Sequence, residues 1–374
     1  MTMKQFYRFL SILLIVSLLL PSCKQEEVPE LPPPAYLSII DGGSSGGNGS
    51  SDSEDEFDDG SGSGTASEIG DWNENRGKIV TPTGSGWTSK IISEGIVYYT
   101  FNGKDDVTGQ SQQVFVIDLD LSNPKYKLKF TYTSPTVETS TVHKDHNSIA
   151  TMNAGYEAGS IYIRVGGKNK SLLPNITIGS TGVSNWKSEG AVCCNDDNTV
   201  TFKYPGRNIS VAQQRKEYMY NCPEPYLISS APMLIYDYKP VGENFCNYNL
   251  TDSQVKKIGN QSTENFEYHQ RVRHPRVAVA LTENNHFIMF EVDGRNSHSK
   301  GMSARELTRF LVKHFNPQYA INMDGGGSST LCVQGEGDPK THVVNYPCDN
   351  KKYDHAGERV RDTHFIIVPA DENE

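Results

Sequence analysis

Short apolar runs rich in β-branched and aromatic residues, separated by polar stretches, dominate the pattern along the chain. "IVYYTF" (Ile96–Phe101), "VFVIDLDL" (Val114–Leu121), "YKLKFTYT" (Tyr126–Thr133) and "RVAVALT" (Arg276–Thr282) read as strands. "FIMFEVDG" (Phe287–Gly294) follows the last of these across the polar "ENNH", and the pair predicts a hairpin. The pattern changes after Ser303. Ala304, Leu307, Phe310, Leu311 and Phe315 fall on one face at helical spacing, with Ser303 and Glu306 forming a capping box ahead of them. Pro317 ends that helix, and a strand, Tyr319–Met323, follows directly. Together these elements predict an α+β fold of strand-rich mixed sheets with few helices.

The amino-terminal region is patterned differently. Lys4 and Arg8 precede an apolar run, Phe9–Leu20, closed by Leu20-Pro21-Ser22-Cys23. Residues 1–22 read as a secretory signal, too short for a typical membrane span, and Cys23 stands where a bacterial lipoprotein carries its lipid. The expectation is an exported protein anchored through Cys23 to a bacterial outer membrane, on its periplasmic or outer face. Residues 23–75 are Pro-rich and then Gly/Ser/acid-rich, the composition of a solvated tether.

Lys24–Asn75 holds 13 of the 45 acids and one basic residue, so the formal charge of −10 belongs to the tether. From Arg76 onward 32 acids face 32 lysines and arginines, and that balance argues against a nucleic-acid partner. The remainder, 76–374, shows no second low-complexity break and no fixed-period repeat, which favours one domain. Cys193, Cys194, Cys222, Cys246, Cys332 and Cys348 permit up to three disulfides in an exported chain. Cys193 and Cys194 would bond to each other only with strain, and Cys222–Cys246 and Cys332–Cys348 are the expected local pairs. No CxxC or paired CxxH spacing supports a zinc site.

The most unusual stretch is "YAINMDGGGSSTLCV" (Tyr319–Val333). Its tight apolar flanks argue against a flexible spacer. A tight turn remains, as does a site where an anion meets bare backbone amides and the hydroxyls of Ser328 and Ser329. A P-loop is excluded, because no GK[ST] follows and no helical pattern starts there. Other polar groups gather at strand ends: Asn153, Gly155 and Tyr156 in "TMNAGYEAG", Arg273 and Arg276 in "RVRHPRVAVAL", Asp293-Gly294-Arg295, and Arg359 in "GERVRDTHFIIV".

Taken in order, NAGY, RHPRVAVA, DGR, GMSARELTRFL, AINMDGGGSST and a final ER before an apolar strand resemble the phosphodiester glycosidase family, over Ser148–Val368. The chain differs from the usual family pattern at Ala154, Tyr156-Glu157, Val277, Ala280 and in reading ERVRDT at its last motif. The resemblance implies hydrolysis of a sugar-1-phosphodiester of the GlcNAc-1-phospho-sugar type, freeing the sugar and leaving a phosphomonoester. It also implies a carboxylate at the anomeric centre, with Asp324 the first candidate and Asp293 the second. Arg276, Arg295 and Arg359 become phosphate-binding candidates, with Gly325, Gly326, Gly327, Ser328 and Ser329 as the backbone cradle. Asn153 and Gly155 become sugar-side candidates.

Each residue also has a plain reading: Asp324 as the Asx cap of its own turn, Asp293 as a loop residue, the arginines as ion pairs, Asn153 as a turn cap. The sequence requires no cofactor. Its acids are compatible with a divalent cation, although no DxDxDG cluster occurs. A phosphodiester-linked glycan is the expected partner. The competing functions are a surface glycan-binding lipoprotein without turnover and a hydrolase of cell-wall phosphodiester polymers.

Overall fold

The computed structural model describes residues 72–172, 186–207, 209–250, 254 and 265–370. The expected signal, Cys23 and the expected tether before Trp72 lie outside the described residues. A first helical turn, α1 (Trp72–Asn75), already contacts the domain, since Asn316 Nδ2 donates to Asn75 O at 2.7 Å and Arg76 pairs with Asp237.

Three sheets are formed among the described residues. The largest has seven strands in the order β1 (Trp87–Ser93), β2 (Ile96–Lys104), β3 (Ser111–Asp120), β13 (His286–Val292), β12 (Arg276–Leu281), β14 (Tyr319–Asn322) and β11 (Met233–Tyr236). A five-stranded sheet runs β7 (Lys168–Ser171), β6 (Ile163–Val165), β10 (Tyr226–Ser230), β8 (Gly190–Cys194) and β9 (Val200–Lys203). A four-stranded sheet runs β15 (Leu331–Val333), β5 (Ala150–Asn153), β16 (Arg361–Pro369) and β4 (Tyr126–Val137). The fold is α+β and strand-rich with few helices. Every pair among these strands is antiparallel, where the strand pattern alone led to an expectation of mixed sheets. Parallel pairs need long crossovers, and neighbours such as β12 and β13 are joined by a short turn instead.

The two faces of the seven-stranded sheet follow strand parity. Ala278, Ala280, Ile288, Phe290 and Val292 pack against Leu307, Phe310, Leu311 and Phe315 of α5 (Ala304–Phe315). Val277, Val279, Phe287 and Met289 face the opposite way, into a cluster shared with the other two sheets. That parity also puts Glu291 and Asp293 on the inter-sheet face, where both are buried. No helix among the described residues is long and apolar enough to cross a membrane.

Among the described residues three further α-helices are short: α2 (Thr139–Asp145), α3 (Val211–Arg215) and α4 (Phe266–Arg271). α5 keeps its expected start. Ser303 Oγ accepts from Glu306 N, Glu306 reaches back to Ser303 N, and Asn316 closes the helix in the left-handed region at φ 42°. Glu306 also holds Arg273 through a buried bidentate contact with a shortest distance of 2.6 Å. Arg273 is therefore a structural residue of this helix start.

The expected cysteine pairs do not form: all six described cysteines are free. Cys222 Sγ lies 3.2 Å from Cys193 Sγ, while Cys246 Sγ faces Phe266 O and Cys348 Sγ faces Gly326 O. Nearness in sequence says little about which faces of two strands meet.

Replacing Ser303 with Ala removes one side-chain cap while leaving Arg273–Glu306 in place. The expected cost is about 1 kcal/mol, seen as a fall of roughly 2–4 °C in Tm by calorimetry.

Candidate active site

The glycine segment forms the seam between two sheets. β14 belongs to the seven-stranded sheet and β15 to the four-stranded one, so Met323–Thr330 must cross from one to the other. Met323 N donates to Val277 O (2.7 Å), Asp324 N to Ala154 O (2.9 Å) and Gly326 N to Pro275 O (2.8 Å). A single 3₁₀ turn, Gly326–Ser328, then redirects the chain, a helical element that the local pattern did not predict. Asn153 clamps both ends: its Nδ2 donates to Asp324 O at 2.7 Å and its Oδ1 accepts from Thr330 N at 2.9 Å. Both polar atoms of this fully buried side chain are thus engaged with the turn itself.

Two of the glycines have identifiable physical reasons. Gly326 adopts φ +65°, a conformation costly for a residue with a Cβ, and a Cβ there would lie 3.2 Å from Arg295 Nη2. Gly327 leaves room for an ion pair. A Cβ on it would fall 1.8 Å from Asp349 Oδ1 and 2.4 Å from Arg359 Nη2. Arg359 and Asp349 form a two-point contact there, Nε to Oδ2 at 2.6 Å and Nη2 to Oδ1 at 2.7 Å. Gly325 packs on Pro275 O in the same way.

Arg295 reaches the turn from the end of β13, held at φ 61° with Nη2 3.1 Å from His274 Nδ1. That contact needs an unprotonated Nδ1. Burial first, and then the charges of Arg276 and Arg295, hold His274 well below the ordinary histidine range. Arg295 and Arg359 are both exposed at their outer faces.

A third guanidinium, missed in the sequence, is the one nearest the carboxylate. Arg361, the first residue of β16, sits 3.1 Å from Asp324 Oδ2 and 3.9 Å from Glu157 Oε2, and its Nη2 donates to Gly155 O. Its Nε is buried without a partner among the described residues. Lys187 Nζ lies 2.8 Å from Glu157 and 5.3 Å from the Tyr156 ring centre. The signal available in the sequence was only that Arg361 lies two residues beyond Arg359 in the final motif, at the start of its strand.

Burial pushes the Asp324 carboxyl above the ordinary carboxylate range, against the charge of Arg361. Ser328 Oγ is near enough to oppose that rise, but it makes no well-formed hydrogen bond. Glu157 moves the other way: desolvation raises it, but the hydrogen bond and charge of Lys187, with its own backbone amide and the charge of Arg361, together hold it below the usual range. The hydroxyls of Ser328, Ser329 and Thr330 are buried beside the turn with no partner among the described residues.

The structure does not bring Arg276 to this opening. It is 1% exposed, and its guanidinium donates to Met302 O, Gln270 Oε1, His269 O and Val272 O. Gly155 is buried, and a Cβ on it would meet Ile161 and Ile228 at 2.5 and 2.7 Å. Asp293 lies behind the turn and accepts from Tyr346 N (3.1 Å) and Asn345 Nδ2 (3.3 Å). Asn345 links it to the turn by donating to Ser329 O and accepting from Leu331 N. Burial pushes Asp293 up to about 7. Glu291, two residues earlier on the same face, is pushed well above the carboxylate range by burial and then by the neighbouring Asp293 charge. Groups of metal-ligand type among the described residues occur at Cys193/Cys222/Glu224 and Asp105/Asp106/His314, neither of them at the turn.

The family model for phosphodiester glycosidases matches residues 138–368. The chain is 28% identical over 102 residues to N-acetylglucosamine-1-phosphodiester alpha-N-acetylglucosaminidase of Homo sapiens, covering 27% of this chain and 18% of that protein. It is 31% identical over 90 residues to the Bos taurus protein of the same name, covering 24% and 16%. The aligned stretches therefore span less than a fifth of those relatives. Among solved structures, the zebrafish catalytic domain of that name, auto-inhibited by its pro-peptide, superposes with a TM-score of 0.49 at 17% identity, covering 78% of this chain and 86% of that one.

Gly327→Ala should displace the Arg359–Asp349 pair at a cost of about 1–3 kcal/mol. Adding Asp349→Ala should recover part of that loss, a non-additivity that a double-mutant cycle of unfolding free energies will read. A second expectation concerns pH. Between about 4 and about 7 the folded state holds more protons on Glu291 and Asp293 than the unfolded chain does, so stability falls as pH rises through that window. Glu291→Gln should lose at least about 1 kcal/mol less than the wild type across it, measured by denaturant unfolding at a series of pH values.

Proposed function

Because the chain belongs to the phosphodiester glycosidase family, we propose that it hydrolyses sugar-1-phosphodiesters, freeing the sugar and leaving a phosphomonoester on the other partner. The observation that carries this reading is the meeting of Arg295, Arg359 and Arg361 with Asp324 on the bare backbone of Gly325–Gly327. Guanidinium groups suit a phosphate by paired charge-assisted hydrogen bonds. The unpartnered hydroxyls of Ser328 and Ser329 offer further donors to the same anion.

In this reading the phosphodiester sits against the arginines and the anomeric carbon lies toward Asp324. A phosphodiester leaves far more readily than a sugar alkoxide, so the site needs charge stabilisation more than a strong general acid. Asp324 supplies negative charge to the developing oxocarbenium centre, or attacks it. Arg361, between Asp324 and Glu157, keeps that carboxylate charged and aimed. Asn153 and the Asp293–Asn345 link act through the main chain, fixing where the turn's amides and Asp324 stand. Arg276 supports the neighbouring loop by its bonds to four acceptors.

The N-terminal segment supports export, with residues 1–22 as the signal and Cys23 as the lipid anchor that holds the enzyme at a bacterial outer membrane through its tether. A glycan-binding protein without turnover has no need of a carboxylate held against an arginine, and this separates it from the enzyme reading.

The test is incubation with GlcNAc-1-phospho-mannose and a panel of other sugar-1-phosphodiesters, following free sugar and new phosphomonoester. Asp324→Asn should lower kcat by at least about 100-fold with its Tm nearly unchanged. Release of sugar-1-phosphate would place the cut at the other P–O bond and overturn the proposal.

A further inference from the structure

Away from the glycine turn, two buried thiols meet in a small core beside the five-stranded sheet. Cys193 lies on β8, opposite Leu227 of β10. Cys222 stands just after the π-helical turn Lys216–Tyr220 that continues α3. Their sulfurs are 3.2 Å apart, and the residues are 0% and 2% exposed. Around them pack Tyr162, Ala191, Tyr218 and Leu227. We propose that Cys193 and Cys222 are joined by a disulfide in the mature protein.

Two readings compete for this pair. Glu224 Oε2 accepts from Cys222 Sγ at 2.9 Å, so the three residues form a possible metal-ligand group. Structural zinc takes four ligands as thiolates, imidazoles or carboxylates. Here no fourth ligand joins the group among the described residues, and the apolar surroundings disfavour thiolates. A disulfide is neutral and suits the same surroundings. Glu224 keeps its remaining partners when the thiol proton is lost, since Thr201 Oγ1 donates to Oε1 at 2.7 Å and Lys203 Nζ lies 3.7 Å away.

The bond forms by exchange with an external disulfide during folding, before the thiols are buried. One thiolate displaces a thiol from that disulfide, and the second cysteine then attacks the mixed disulfide and releases the other thiol. Two electrons and two protons pass to the external disulfide. In the cell this step depends on the export reading, because the cytosol keeps such pairs reduced.

The bridge would bear on the proposed site. Tyr218 OH and Gln214 Nε2, both from the stapled segment, donate to Ser188 O at 2.6 Å each. Ser188 adjoins Lys187, the partner of Glu157. The cross-link thereby ties down the element that holds Lys187 in place.

The experiment takes the full chain carrying Cys194→Ser, which removes the ambiguity of adjacent cysteines. One sample is recovered from the cell envelope. A second is refolded from denaturant with oxidised and reduced glutathione, which makes the chemistry independent of export. Free thiols are alkylated under denaturing, non-reducing conditions, and the digest is read by mass spectrometry. The expected result is a Cys193–Cys222 linked peptide in both samples, with Tm falling by roughly 5–10 °C on reduction. The Cys193→Ser/Cys222→Ser variant should show no such response to reductant. A linked peptide in the refolded sample alone supports the pairing and counts against export. Full alkylation of both cysteines after refolding, linkage of either to Cys246, Cys332 or Cys348, or one zinc per chain with both thiols reduced would overturn the proposal.

Discussion

Two guanidinium groups press on a main chain that carries no side chains of its own, a third pairs with the aspartate that leads into it, and the rest of the site follows from those contacts. A Cβ at Gly327 would overlap the Arg359–Asp349 pair, and one at Gly326 would press on Arg295. The run of glycines is therefore a packing requirement set by residues from distant parts of the chain. Like charges held this close repel, and the repulsion is relieved by Asp349, Asp324 and Glu157. The result is a paired network in which Arg295 and Arg359 stay exposed while Arg361 and Asp324 are largely covered.

The seam between two sheets provides the rigidity this arrangement needs. β14 and β15 are fixed in separate ladders, and the short crossover between them is clamped at both ends by one asparagine. Sites held by strand ends are set more precisely than sites held by loops alone. The loop that carries Asp349 is itself braced: Tyr346, Tyr353 and His355 stack with centroids 4.0 and 4.5 Å apart, and Tyr346 N is bound to Asp293. Buried behind the turn, the Glu291–Asp293 pair couples that brace to protonation, because two adjacent carboxyls removed from water cannot both be charged cheaply.

Much of this protein was legible before any coordinates. The hairpin of β12 and β13, the start of α5 at Ser303 and the strand leading into the glycines all follow from spacing between near neighbours, and they stand where the patterns put them. Asp324, Arg295, Arg359 and the glycines were picked out by position at strand ends, and the structure brings them together. Arg276 and Arg361 show where that reasoning stops. Both stand at strand starts, yet one turns inward to four acceptors while the other reaches a carboxylate.

What the sequence determined by itself was several of the local elements and the presence of a bare, acid-led turn, because periodicity and turn chemistry act between residues a few positions apart. Tertiary structure alone decided which arginine meets Asp324, that Asp349 rests on Gly327, and that Cys222 faces Cys193 instead of Cys246. Those choices depend on how separate sheets pack and which side chains then fall within a few ångströms. Contacts across that distance in the chain leave no mark in local pattern.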